Sequence, residues 1–179
     1  MMSQSGSYFY YKGKNFQAVA LPYGKGSVSM YVFLPDEQTS LDQFEKDLTS
    51  ENWEMWMKSF GFGPGNVTLP RFKVEWESKL NDALIALGMS EAFNPNGANF
   101  SQIAELQSGN LFISEVMHKS ICEVNEEGTV AAAATSVRMG IGSVSPPPFS
   151  MKVDRPFFFA IRDYQTGVLF FMGSITNPD

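Results

Sequence analysis

The sequence predicts an α+β fold in which mostly antiparallel and mixed β-sheets are joined by a few short helices. Apolar and less apolar residues alternate with a period of two over residues 27–34, as expected for a strand. Apolar residues recur at helical spacing over residues 41–48 and again over residues 53–60. The 179-residue chain is 44% hydrophobic and 18% charged, which suits one packed domain.

Two helices are predicted after the strand at residues 27–34. Ser40 and Gln43 have the spacing of a capping box, which places a helix start at Ser40. The apolar face of this helix consists of Leu41, Phe44 and Leu48. The apolar stripe of the second helix consists of Trp53, Trp56, Met57 and Phe60. We interpret that stripe as core packing rather than a cofactor site, and the glycines and Pro64 of residues 61–65 are predicted to end the helix.

The strand predicted over residues 67–76 changes its apolar face at Pro70. The apolar residues before the proline share one parity, and those after it share the other: Val67 and Leu69, then Phe72, Val74 and Trp76. A slip of one residue reverses the buried side of a strand, and proline cannot donate to a central ladder. The strand is therefore predicted to leave one sheet and join another at Pro70.

A third helix and a long strand complete the middle of the chain. The helix is predicted to have Ser78 as its N-cap and Gly88 as its stop, with Leu80, Leu84 and Leu87 on one face. Residues 111–127 are predicted to form one strand, unusually long against the common five or six residues. Side chains on both faces of this strand are apolar near its start. We therefore expect other parts of the protein to cover both faces and the strand to lie in the centre of its sheet.

The segment over residues 123–148, EVNEEGTVAAAATSVRMGIGSVSPPP, has an order of residues that a packed core does not require. A turn glycine precedes four alanines, a polar stretch with two more glycines follows, and three prolines end the segment. Alanine has weak strand preference and little area to bury. The alanines would fit a closely packed sheet if the segment entered it as an extra strand. The alternative is a short alanine-rich helix that leads into a linker.

Ten consecutive residues of this segment resemble the hinge of inhibitory serpins: Glu126, Glu127, Gly128, Thr129, Val130, Ala131, Ala132, Ala133, Ala134 and Thr135. The resemblance extends along the whole chain in the family's order. Residues 16–24 and 30–36 resemble two adjacent strands of serpin sheet B, and residues 69–72 resemble the strand that passes from sheet C into sheet A. Residues 113–119 resemble strand five of sheet A, and residues 155–162 with 169–173 resemble the closing hairpin.

The resemblance implies that residues 1–179 are the carboxy-terminal part of a single serpin domain, with parts of sheets A, B and C. Serpins are usually about twice as long, so the amino-terminal half is incomplete. The reactive-centre loop then lies at about residues 128–148. The family pattern places the cleaved bond between Gly142 and Ser143, and the bond between Arg138 and Met139 is the alternative. The implied structural switch residues are His118, in the long strand, and Arg71, which we expect to pair with Glu126.

The implied activity is inhibition of a serine-type endopeptidase by suicide cleavage of the loop and its insertion into a sheet. The implied partner is a target serine protease, or a cysteine protease, and the open sheet edges also favour self-association. The chain is then no enzyme and needs no cofactor. A non-inhibitory serpin that acts as a chaperone, carrier or structural protein is one alternative, and an inactive serpin fragment is another. The family resemblance also implies an extracellular, secreted protein.

Composition excludes several other classes of function. The net charge of −6 gives no basic surface for nucleic acid, and no apolar run has the length of a membrane span. Cys122 is the single cysteine, so an internal disulfide and a cysteine metal cluster are excluded, and we interpret it as a small buried hydrophobe. His118 is the single histidine, and we expect neighbouring polar groups to satisfy it. Residues 1–10 lack the basic head and apolar body of a signal peptide.

Overall fold

A computed structural model describes residues 1–24, 26–104, 109–125 and 148–178. The chain forms two compact units, the first from Met1–Phe72 with Val124–Asp179 and the second from Lys73–Glu123. In chain order the described strands are β1 (Met2–Lys12), β2 (Phe16–Tyr23), β3 (Val28–Pro35), β4 (Gly61–Leu69), β5 (Phe72–Lys79), β6 (Met117–Val124), β7 (Phe149–Lys152), β8 (Phe157–Asp163) and β9 (Leu169–Ile175).

Seven strands of the first unit form one mixed sheet in the order β7-β4-β1-β2-β3-β8-β9. All neighbours in it are antiparallel except β4 and β7, which are parallel. The predicted strand at residues 27–34 is present as β3, paired with β2, and the hairpin near the end of the chain is β8–β9. Gly24 and Gly26, with φ of 50° and 87°, make the turn between β2 and β3.

Both predicted helices of the first unit are present. Helix α1 (Leu41–Asp47) begins at Ser40, whose side chain accepts a hydrogen bond from the Gln43 N–H at 3.2 Å. Helix α2 (Ser50–Lys58) begins at Thr49, whose hydroxyl accepts from the Asn52 N–H in the same way. These side chains satisfy backbone donors that have no partner inside the helix, which explains where each helix starts.

An aromatic core joins these two helices to the sheet. Phe33 of β3 is fully buried, and Phe44 of α1 and Trp56 of α2 are almost so. The buried members of this cluster are Phe16, Ala18, Ala20, Tyr31, Phe33, Leu41, Phe44, Trp56, Phe158 and Ala160. The aromatic stripe of α2 therefore packs the core, as the sequence predicts.

The change of sheet at Pro70 is also present. Strand β4 ends at Leu69 in the seven-stranded sheet, and β5 begins at Phe72 in a separate two-stranded sheet with β6. Residues 61–65 follow the end of helix α2, as predicted, but they also begin β4, which starts six residues before the predicted strand at residue 67. Their backbone pairs with β1, for example Gly65 with Gly6, so pairing along the sheet overrides the weak strand preference of glycine and proline.

The second unit begins its helical part later than predicted. Ser78 is not an N-cap, because it lies in β5, which continues to Lys79. Leu80 is the residue before helix α3 (Asn81–Leu84), and its backbone N–H donates to the Val116 carbonyl. Because Leu80 still makes a strand-like backbone hydrogen bond to Val116, the helix begins only after Leu80. A wider turn over Ile85–Met89 and a tight turn over Ser90–Phe93 follow, and Gly88, with φ of 100°, ends the helical run near where it was predicted.

The long strand predicted over residues 111–127 is shorter in the structure. Strand β6 covers Met117–Val124, and residues 111–116 are irregular. The Asn81 side chain takes the backbone hydrogen bonds that a ladder would use, since it donates to the Ser114 carbonyl and accepts from the Val116 N–H. Within the described part of the chain, β6 pairs only with β5 and most of its side chains are exposed, so the prediction of a central strand covered on both faces was wrong for this chain.

Candidate functional site

The predicted hinge and both predicted cleavage bonds lie outside the described residues. This applies to residues 126–135, to Gly142 and Ser143, and to Arg138 and Met139. The structure does describe the two strands that flank residues 126–147. Strand β6 ends at Val124 on the amino-terminal side, and β7 begins at Phe149 on the carboxy-terminal side. Strand β6 lies almost entirely in the second unit, and β7 lies in the first.

The amino-terminal flank is a two-stranded ribbon with charged cross-strand pairs. Lys119 of β6 lies 3.4 Å from Glu77 of β5, and Lys79 lies 2.8 Å from Glu115. The hydrogen bond from Lys79 to Glu115 raises the pKa of the lysine. These pairs are about half exposed, and such pairs contribute only about 0–1 kcal/mol each. Because few β6 side chains are buried, the ribbon depends mainly on its backbone ladder.

His118 lies in β6 and has a polar neighbour, as predicted. Its ring Nε2 is 2.9 Å from the Ser120 hydroxyl, and Ser120 is two residues along the same strand. The Trp76 ring of β5 lies beside it, with ring centroids 5.8 Å apart. The role of His118 as a structural switch stays a prediction, since that role depends on strands outside the described residues.

Arg71 and Cys122 complete the predicted positions on this side. Arg71 lies between β4 and β5 on the exposed surface, and its predicted partner Glu126 is outside the described residues, so the ion pair stays a prediction. Cys122 is half-buried in β6 rather than fully buried, and burial raises the pKa of its thiol. A raised pKa disfavours the reactive thiolate.

The carboxy-terminal flank is packed much more tightly than β6. Met151 and Val153 are almost fully buried, and the Val153 N–H donates to the Thr68 carbonyl of β4. The Phe149 ring stacks on Tyr10, with centroids 4.0 Å apart, and Tyr8 meets it edge-on at 6.2 Å. Strand β7 is therefore fixed to the sheet from its first residue.

Glycine at position 65 makes this packing possible. Gly65 pairs with Phe149, and a Cβ at Gly65 would collide with the Phe149 ring. Burial raises the pKa of both Tyr8 and Tyr10, with nearby Asp36 adding to the effect at Tyr10. This cluster was not predicted from the sequence, although Tyr8 and Tyr10 share one parity of a strand and could have indicated it.

The pairing of β7 also fixes the direction from which the chain enters the sheet. Strand β7 runs parallel to β4, with Phe149 opposite Gly65 and Lys152 opposite Thr68. The chain therefore comes to Phe149 from the end of β4 that holds Phe62. Among the described residues, no helix is long and apolar enough to cross a membrane, and no three His, Cys, Asp or Glu side chains could together hold a metal ion.

Comparison with known proteins identifies the family of this chain. Residues 1–178 match the family model described as Serpin (serine protease inhibitor). The chain is 38% identical to the human leukocyte elastase inhibitor over 180 residues, which cover 96% of this chain and 46% of that protein. It is 32% identical to human antithrombin-III over 179 residues, which cover 99% of this chain and 39% of that protein.

A solved structure gives the same result for the fold. The crystal structure of the thermophilic serpin tengpin in the native state matches with a TM-score of 0.78 and 35% identity, over 98% of this chain and 46% of that one. The chain belongs to the serpin family, and both the predicted family and the predicted fold class are confirmed. The chain spans less than half the length of these relatives.

Proposed function

We propose that this chain is the part of an inhibitory serpin that presents the reactive-centre loop to a serine protease. The observation that carries the proposal is the hinge-like sequence of residues 126–135, in a chain that belongs to the serpin family. Residues 129–135 are Thr, Val, four Ala and Thr, with no charged or very large side chain. Such residues let a strand enter a closely packed sheet, whereas bulky or charged ones would favour a non-inhibitory member.

The mechanism we propose uses the catalytic groups of the protease alone. The protease nucleophile attacks the loop and forms an acyl-enzyme. The cut loop then inserts beside β6, where new backbone hydrogen bonds and released strain favour insertion. The attached protease is carried along and distorted before water can release it. The exposed ladder edge of β6 supports this step, since a strand can add to it directly.

We place the inhibitory cut near Gly142–Ser143. Counted from Gly128, Gly142 is the fifteenth residue, and at roughly 3.3 Å per residue that stretch reaches about 50 Å. This length carries a protease from one end of a sheet to the other. Cleavage after Arg138 leaves four fewer residues to insert, which shortens the travel by about 13 Å. We therefore expect Arg138 to be a site of simple cleavage.

Insertion between two strands also needs a second strand that the described residues do not supply. Within them β6 has one neighbour, β5, so the inserted loop gains one ladder at most. We propose that the second strand belongs to the amino-terminal half seen in full-length serpins. The isolated 179 residues are then cleaved by the target protease but trap it poorly. Secretion of the whole protein is part of the same proposal.

The test compares the isolated chain with a hybrid in which the amino-terminal half of a related serpin precedes Met1. Each is incubated with a panel of serine proteases, and covalent adducts are counted on denaturing gels. We expect an adduct with the hybrid and cleavage alone with the isolated chain. Thr129→Arg in the hybrid should convert inhibition into cleavage, and Thr129→Ser is the matched control that should leave inhibition intact. If the hybrid gives cleavage alone with every protease, the inhibitory proposal fails.

A further inference from the structure

Two exposed phenylalanines form a cross-strand pair on the seven-stranded sheet. Phe9 of β1 lies directly opposite Phe62 of β4, and their ring centroids are 5.1 Å apart. Phe9 is 49% exposed and Phe62 is 64% exposed. Two rings that contact each other but face water on their other sides contribute little to folding stability. Their burial by a partner would remove a large apolar area from water.

The two strand segments that carry this pair are uncharged. Residues 2–11 and residues 61–69, which cover most of β1 and all of β4, contain no acidic or basic side chain. Charged residues make up 18% of the whole chain, so these two segments differ from the rest of it. Apolar aromatic residues without charged neighbours are typical of the centre of a protein–protein interface.

The register of β7 places the pair about three residues along β4 from the position opposite Phe149, the first residue of β7. Phe149 lies opposite Gly65, and Phe62 is three residues along β4 from Gly65, which is about 10 Å. Because β7 is parallel to β4, the chain enters β7 from the side where Phe62 lies. Phe9 and Phe62 are also on the opposite face of the sheet from Tyr10 and Phe149, so the carboxy-terminal flank does not cover them.

We propose that Phe9 and Phe62 form an apolar docking surface for the protease that cleaves residues 126–147. This inference rests on the proposed function and deepens it, because it assigns a second contact to the same partner. A protease that holds the loop close to its carboxy-terminal end approaches the same end of the sheet. A protease with apolar residues beside its substrate cleft would bury the pair and bind the loop more tightly than the loop sequence alone allows.

The test measures kcat/KM for cleavage within residues 126–147 of the full chain by an elastase-type serine protease. We chose this protease because the proposed cut follows a small residue. The variants are Phe9→Ser, Phe62→Ser and the double change. Tyr164→Ser is the matched control, since Tyr164 is 67% exposed in the β8–β9 turn, and these two strands lie at the opposite edge of the sheet from β4. A synthetic peptide of residues 126–147 reports the cleavage of the loop sequence without the surface.

We expect the double variant to lower kcat/KM about tenfold, a loss of about 1.4 kcal/mol of transition-state binding, and to approach the value for the free peptide. Tyr164→Ser should stay within about twofold of the unchanged chain. Phe62→Tyr keeps the apolar area and should keep the rate. Circular dichroism checks that each variant folds. If the double variant does not fold, comparing kcat/KM of Phe62→Ser with that of Phe62→Tyr tests the same loss of apolar area.

Two results would overturn the docking inference and leave the proposed function intact. One is an unchanged kcat/KM in a folded double variant. The other is a wild-type chain that is dimeric by light scattering and becomes monomeric on Phe9→Ser with Phe62→Ser, since the pair would then join two copies of this chain. If no serine protease cuts within residues 126–147 of the unchanged chain, the proposed function itself fails, and the docking surface fails with it.

Discussion

Replacing Phe33 by alanine should remove a large part of the stability of the first unit. The Phe33 side chain is fully buried, and five aromatic rings have centroids within about 6 Å of its own: Phe44, Trp53, Phe16, Trp56 and Phe158. Phenylalanine-to-alanine changes in cores cost about 3–5 kcal/mol, and the cost rises when neighbours cannot collapse into the cavity. These neighbours belong to two helices and two other strands, so we expect a loss of about 4 kcal/mol.

The assay is denaturant unfolding followed by tryptophan fluorescence. Trp53 and Trp56 lie next to Phe33 and should report the loss of this core directly. Phe170→Ala is the matched control, because Phe170 is 54% exposed on the edge strand β9, and we expect it to lose less than about 1.5 kcal/mol. If Phe33→Ala does not fold, Phe33→Leu should cost about 1–1.5 kcal/mol. A Phe33→Ala loss no larger than that of Phe170→Ala would refute the aromatic core.

Three further changes test other parts of the first unit. Ser40→Ala removes the cap of α1 and should lower the free energy of unfolding by about 1 kcal/mol in the same denaturant assay. Gly65→Ala forces a Cβ into the Phe149 ring and should cost about 1–3 kcal/mol, visible as a lower Tm, and an unchanged Tm would contradict the packing of β7. The Gln165 N–H donates to the Asp163 carboxylate and lowers the pKa of that carboxyl. The contribution of Asp163 to the free energy of unfolding is therefore complete above the unfolded pKa of about 3.9, and it is lost as the pH falls through the lower folded pKa. Asp163→Ala should therefore flatten the fall in denaturant midpoint between about pH 4 and pH 2, and equal slopes for both proteins would argue against this role.

Local patterns predicted the elements of the first unit well. Ser40 starts a helix because its hydroxyl accepts the first free backbone N–H, which is a local contact that the spacing to Gln43 indicates. The change of sheet at Pro70 was predicted because the apolar residues switch faces there and because proline has no backbone N–H to donate. Both signals are also local. The alternation at residues 27–34 indicated a strand, but β3 is buried on both faces, because the sheet packs on two sides.

The second unit was predicted less well, because its pairing depends on residues far apart in the sequence. Ser78 has the chemistry of an N-cap, yet β5 continues through it, and the Leu80 N–H bonds to Val116. Asn81 interrupts the strand predicted at residues 111–116 by bonding two backbone groups of that segment. No periodicity near Asn81 indicates contacts more than thirty residues away. The hinge at residues 126–135 was predicted from family resemblance rather than from local geometry, and it stays a prediction because it lies outside the described residues.

The most direct test of the central claim is to find where the protease cuts. An elastase-type protease is incubated with the hybrid, and the stable adduct is isolated and denatured to release the carboxy-terminal peptide, whose mass is measured by mass spectrometry. The proposed mechanism predicts a peptide that begins between Gly140 and Val144, with Ser143 as the expected first residue. A stable adduct that releases a peptide beginning at Met139, or an isolated 179-residue chain that traps protease at nearly one-to-one stoichiometry, would contradict it.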